Sequence, residues 1–132
     1  MTITYIWRGE FTNESLNRLH AEAFRHRPLA DDWRTQVTRH SLGWVCTCDD
    51  TDLVGFVNVA WDGGVHAFVL DTIVADRYRH RGIATEMVRI STRKAREARC
   101  EWLHVDFEEH LHEFYFDRCG FERTNAGLIK LI

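Results

Sequence analysis

The stretch RYRHRGIATEM, residues 77–87, gathers three arginines and a histidine around Gly82. Those residue types suit an anion. In Arg79-x-x-Gly82-x-Ala84 a guanidinium stands at the edge of a turn, the glycine admits an anion close to the backbone, and a second small residue keeps the turn uncrowded. The apolar run HAFVLDTIVA (66–75) precedes the stretch, and Ile83, Met87, Ile90 and Ser91 follow at helical spacing. The spacing therefore predicts a strand-to-helix junction, where a helix N-terminus presents unpaired N–H groups and a partial positive charge. Neither G-x-x-x-x-G-K-[ST] nor G-x-G-x-x-G occurs, so neither usual nucleotide fingerprint explains it.

Asp71 is the second residue whose place needs a reason, because it interrupts a strand that is otherwise apolar on both sides. Two roles fit it: orienting the following loop, or binding an amine and relaying its proton. His104 and Asp106 share one face of a predicted strand and read as a structural hydrogen bond. His110 and His112 are two apart on a predicted helix and do not face each other, so they make no metal pair. Cys46 and Cys48 share a strand face, but no second pair follows at zinc-site spacing, and no metal is expected. With Cys100 and Cys119 they read as reduced thiols.

These residues must be positioned by the elements around them. ITYIW (3–7) reads as a strand, then Thr12 or Asn13 caps a helix with Leu16, Leu19, Ala23 and Phe24 on its apolar stripe. A short helix is predicted around 30–40, with Trp33 able to wall a pocket beside Asp31 and Asp32. Strands at 43–48, 53–61 and 66–75, joined by the turns DDTD and DGG, form an antiparallel meander. A helix at 82–98, a strand at 102–107, a helix at 110–118 and short strands near 121–124 and 127–132 complete the pattern. The fold class is α/β (α+β): a mixed, mostly antiparallel sheet flanked by helices, with strands 66–75 and 102–107 parallel across a βαβ crossover.

The 132 residues suit a single domain, 1–132, and 45% apolar with 28% charged content is ordinary for a globular chain. No apolar run approaches the length of a membrane span, and MTITYIWRGE resembles no leader, which makes the cytoplasm the expected compartment. A net charge of −3 hides an asymmetry: residues 77–99 hold eight Lys/Arg against two acids, and 101–117 hold six acids and no Lys or Arg. One basic junction in an acidic chain excludes the broad positive face of a duplex binder, so no nucleic acid is expected.

The segment LDTIVADRYRHRGIATEMV (70–88) resembles the acetyl-CoA-binding core of the GNAT superfamily of N-acetyltransferases, in which Arg or Gln, two residues, Gly, one residue and Gly or Ala recur. Arg79, Gly82 and Ala84 carry that pattern here, with His80 where a glycine is frequent. EFYFDRCGF (113–121) resembles the second hallmark through Tyr115, Gly120 and Phe121, and Glu108 stands seven residues before the tyrosine, where many members carry asparagine.

The resemblance implies that the coenzyme A diphosphate rests on the backbone of Arg81, Gly82, Ile83, Ala84, Thr85 and Glu86, beside Arg79 and His80. It implies that the pantetheine arm pairs with the strand at Ile73 and Val74, and that the cofactor lies where strands 66–75 and 102–107 splay. Tyr115 would protonate the departing sulfur, although beside Phe114 and Phe116 it also reads as a half-buried aromatic. The backbone N–H near Val74 would polarise the thioester carbonyl.

Acetyl transfer needs a neutral amine, and neutralising one of pKa about 10.4 at pH 7 costs about 4–5 kcal/mol. Asp71 or Glu108, through ordered water, could accept that proton. The expected activity is acetylation of a primary amine on a small cationic molecule, with Asp106, Glu108 and Glu109 facing the amine. Acetylation of a protein N-terminus or lysine, and a non-catalytic acyl-CoA sensor, are the alternatives. The terminal LIKLI could pair across a homodimer edge.

Overall fold

The protein is described here by a computed structural model covering residues 2–132. The strands are β1 (Ile3–Trp7), β2 (Ser41–Asp49), β3 (Asp52–Trp61), β4 (His66–Val74) and β5 (Trp102–His104), in sheet order β1-β2-β3-β4-β5. The first three pairings are antiparallel and β4 pairs with β5 in parallel. Three helices of regular length, α1 (Asn13–Phe24), α2 (Trp33–His40) and α3 (Ile83–Glu97), flank the sheet. The expected mixed sheet with its parallel crossover is thus the observed one.

Local chemistry explains the helix ends. Thr12 caps α1, its hydroxyl accepting from the Ser15 N–H at 3.0 Å, and Asp32 caps α2 by accepting from Thr35. At the far end of α1, Arg25 takes the left-handed conformation (φ 56°), and the His26 N–H reaches back to Ala21 O at 3.1 Å. This closure turns the chain back over the helix it has just left.

Alternation along β3 divides the core. Phe56 meets Phe11 and Trp33 edge-on, at centroid distances of 5.5 and 6.5 Å, on the side of α1 and α2. Gly55 lies on the opposite side, where an added Cβ would stand 3.3 Å from Ile83 Cγ2, and Val59 packs there with Ala67 and Ala95. Trp33 is a core residue rather than a pocket wall, with its indole N–H donated to Asn17 Oδ1 at 3.0 Å. Phe24 leaves the expected stripe: it is 53% exposed, and its ring lies 4.5 Å from that of His20.

The C-terminal third departs most from expectation. β5 ends at His104 instead of Phe107, because a strand persists only while its neighbour's edge supplies hydrogen bonds, and β4 is paired to β5 only from His66 to Phe68. His104 bonds His66 (Nε2 to Nδ1, 2.7 Å) and not Asp106. In place of a regular helix over 110–118 there are a 3-10 turn, Glu109–Leu111, and a π-helical segment, Glu113–Arg118. The expected strands near 121–124 and 127–132 do not form; residues 122–132 are exposed and have no strand to pair with.

Candidate active site

The site begins where β4 breaks its own alternation. Asn58 opposes Leu70 and Phe56 opposes Ile73, so the two residues Asp71 and Thr72 span one position of β3. This is a β-bulge, and Asp71 carries its left-handed backbone, φ 55°. The bulge re-aims two polar side chains in a strand that sends Ala67, Val69 and Ile73 into the core. Asp71 turns to Asn58, which hydrogen-bonds its carboxylate, and lies within electrostatic range of His20 of α1. Burial pushes its carboxyl above the usual range, with His20 and the Asn58 hydrogen bond acting in the opposite sense.

Thr72 takes the other partner. The Tyr115 hydroxyl donates to Thr72 Oγ1 at 3.3 Å, across 43 residues of sequence. Tyr115 is 5% exposed, stacked on Phe107 at 4.6 Å and edge-on to Phe114 and Phe121. Burial pushes its phenol upward, so it keeps its proton at neutral pH and can give one away. The π-helical geometry of Glu113–Arg118 is what carries this ring to the β4 edge, as such bulges often do at functional positions.

Because β5 covers β4 only at His66–Phe68, the β4 edge from Val69 to Val74, including Ile73 and Val74, has no strand partner on that side. The open edge leads into a 3-10 turn, Asp76–Tyr78, and then into α3. Tyr78 anchors this loop: its hydroxyl donates to Asp49, and the guanidinium carbons of Arg77 and Arg81 lie 5.0 and 5.1 Å from its ring centroid. Arg79 folds back, its Nε donating to Val74 O at 3.5 Å and its guanidinium 3.2 Å from Asp76. His80 and Gly82 both adopt positive φ, 62° and 80°.

Gly82 caps α3, and the first backbone bond of the helix runs from the Glu86 N–H to Gly82 O at 3.0 Å. The N–H groups of Ile83, Ala84 and Thr85 belong to the turn that has no intrahelical acceptor. A Cβ built on Gly82 meets no atom within 4 Å, so the space beside the Gly82 Cα, where the helix begins, is open. The Glu86 carboxylate is clamped by Arg89 through bonds of 2.6–2.9 Å, which neutralises an anion beside the cradle. Backbone donors, arginines and open space together fit a diphosphate.

Glu108 stands elsewhere. It is exposed, and its carboxylate lies 3.5 Å from His110 Nδ1; Glu109 similarly lies 3.5 Å from His112. Asp71 and Tyr115 are thus brought to adjacent residues of one bulge, and Glu108 is not joined to them. Residue types alone did not single out Thr72, Asn58 or His20. The signal available for Thr72 was its place beside an acidic residue inside an apolar strand. Among the described residues no group of three or more His, Cys, Asp or Glu could hold a metal ion.

Comparison with known proteins matches this arrangement to an established fold. The family model described as acetyltransferase (GNAT) family matches residues 4–121. A GNAT family acetyltransferase from Streptococcus pneumoniae TIGR4 superposes over 99% of this chain and 100% of its own, with TM-score 0.76 and 22% identity. A Trypanosoma brucei acetyltransferase covers 99% and 100% with TM-score 0.84 and 17% identity. The aminoglycoside N-acetyltransferase AAC(6')-Iy, solved with CoA, covers 98% and 93% with TM-score 0.74 and 17% identity. No curated protein sequence matches significantly. A splayed mixed sheet beside an anion-accepting helix N-terminus is the fold of acyltransferases of this kind. The chain belongs to the GNAT acetyltransferase family, whose reaction is acetyl-CoA-dependent acyl transfer.

Proposed function

We propose that this protein moves the acetyl group of acetyl-CoA to the primary amine of a small cationic molecule, with Asp71 as proton acceptor and Tyr115 as proton donor. The observation that carries this reading is the β4 bulge, which holds a half-buried carboxylate at Asp71 and, one residue on, the Thr72 hydroxyl that receives the Tyr115 O–H. Acid and base thus meet at adjacent residues of one bulge.

The coenzyme A diphosphate is assigned to the N–H groups of Ile83, Ala84 and Thr85, with Arg79, His80, Arg81 and the backbone of Glu86 around it, and the pantetheine arm to the edge at Ile73 and Val74. Bound there, acetyl-CoA supplies an activated acetyl group. Asp71 is favoured over Glu108 as the base because burial raises its proton affinity and the Tyr115 partner is its neighbour, whereas Glu108 is solvent-exposed beside His110. Asp106, Glu108 and Glu109, all exposed, act at longer range by raising the local concentration of cations. An aminoglycoside acetyltransferase of the same fold, solved with a bisubstrate analogue of CoA and acetylneamine, supports the cationic class.

The test is thiol release from acetyl-CoA across a panel of cationic, neutral and acidic amines. Cationic acceptors are expected to lead by about tenfold or more in kcat/KM, with the advantage falling as salt rises, since exposed charges are screened beyond about 8–10 Å near physiological ionic strength. A neutral or acidic acceptor that leads with no salt dependence would remove this assignment.

A further inference from the structure

We propose that residues 127–132 are a strand donor whose acceptor is the open edge of β5 in a second copy of this chain, the exchange being reciprocal in a two-fold dimer. The inference stands apart from the acyl-transfer reading. It takes up two departures from the expected fold, the short β5 and the unformed strands after Phe121.

The acceptor is a strand that lacks one neighbour. β5 is last in the sheet order, so its outer edge is unpaired. Its ladder to β4 stops at His104, yet the chain beyond keeps the alternation of a strand: Leu103, Val105 and Phe107 are half-buried, whereas Trp102, His104, Asp106 and Glu108 are exposed. Alternation without hydrogen bonds marks backbone whose partner is missing. Trp102 is 62% exposed, a large aromatic surface left in water at the sheet margin.

The donor is an arm fixed at its root and free beyond it. The Phe121 N–H bonds Tyr115 O at 3.0 Å, Phe121 packs against the core, and the Arg123 guanidinium carbon lies 4.5 Å from the Phe116 ring centroid. From there on, Leu128, Ile129, Leu131 and Ile132 are 82–106% exposed. Among the described residues, no backbone hydrogen bond holds 122–132. In an extended chain Leu128 and Ile132 share one face with Lys130, and Ile129 and Leu131 take the other, so both faces need apolar cover. Laid along β5, one face lies beside Trp102 and the other beside Leu103 and Val105.

The chain thus holds both halves of a missing pairing and does not join them within itself. Exchange between two copies joins both at once, since each gives its arm and receives the other's. The patch meets itself about a two-fold axis, and no free β5 edge is left to recruit a third chain. The completed strand ends at Phe107, whose ring stacks on Tyr115 at 4.6 Å, so the exchange reaches the candidate site.

Sedimentation of the full chain should show a dimer at micromolar concentrations. In hydrogen exchange, the amides of 105–107 and 128–131 should be slowed about tenfold or more in the dimer, and the protection should vanish on dilution to monomer. Ile129→Pro removes a donor N–H from the arm, and Val105→Pro removes one from β5 beyond the last residue paired to β4. Each should weaken association about tenfold or more, with near-UV circular dichroism checking that the fold is kept. If Val105→Pro does not fold, Leu128→Asp with Leu131→Asp, which charges both faces of the arm, takes its place beside the wild-type exchange pattern. A monomer whose arm amides exchange freely overturns the proposal. A monomer with protected arm amides also overturns it, because the arm has then folded onto its own β5. A dimer that survives the arm variants, or one that survives a folded Val105→Pro, uses another face and overturns the exchange.

Discussion

At the scale of single residues, the site is two side chains made unusual by burial. Tyr115 retains its proton because charged phenolate would be stranded among Phe107, Phe114 and Phe121. Tyr115→Phe keeps that packing and removes only the donor, so kcat should fall by about 10²–10⁴ with coenzyme A affinity spared. A fall of less than about threefold would leave the ring a contact residue. Asp71 has a stability signature as well. Its folded pKa is raised above the ordinary 3.8, so its contribution to stability is complete below that value and is lost as pH rises through the raised one. Asp71→Asn should therefore melt higher than wild type at pH 7 in thermal unfolding, with the gap closing on acidification below 3.8, while amine turnover falls. The oddity of Asp71 was legible from residue type alone. Its bulge was not, since that depends on how β3 opposes β4.

At the scale of elements, the cradle depends on the start of α3. Gly82 has φ 80° and open space before its Cα, so a Cβ there meets no atom within 4 Å and instead points into the volume assigned to the diphosphate. Gly82→Val adds backbone strain to that volume, whereas Gly82→Asn tolerates the left-handed conformation and fills the same space. Calorimetry on both folded variants should show coenzyme A affinity weakened about tenfold or more. If Asn binds normally and only Val fails, strain and not space explains the glycine. A different glycine serves packing. A Cβ on Gly43 of β2 would stand 2.1 Å from Trp7 Cζ2, so the ring of β1 lies flat over the missing side chain. Gly43→Ala should cost about 1–3 kcal/mol in urea unfolding, as overpacked cores do.

Across the whole molecule, the four thiols report on how the core excludes charge. None is in a disulfide, and burial pushes every one upward, Cys46 to about 12 and Cys119 to about 11. Folding therefore favours protonated thiols, and that contribution is present below the ordinary value of 9.0 and lost as pH rises through the folded values. Thermal stability should decline above pH 9, and replacing Cys46 and Cys119 by alanine should flatten that decline. A decline unchanged in the double variant would place its source elsewhere. No helix among the described residues is long and apolar enough to cross a membrane.

The sequence by itself determined what depends on neighbours along the chain. The order β1-α1-α2-β2-β3-β4-α3, the cap at Thr12 and the turn at Gly82 all follow from periodicity and local hydrogen bonding, which act over a few residues. Tertiary structure decided what depends on a partner's edge. It set the length of β5, which ends where β4 withdraws, and left residues 122–132 without the strand that their apolar character promised. It also made the site: Tyr115 meets Thr72 only because the π-helical segment returns to a splayed strand. Such meetings join positions tens of residues apart, and no local spacing encodes the geometry of an edge that exists only once the sheet has formed.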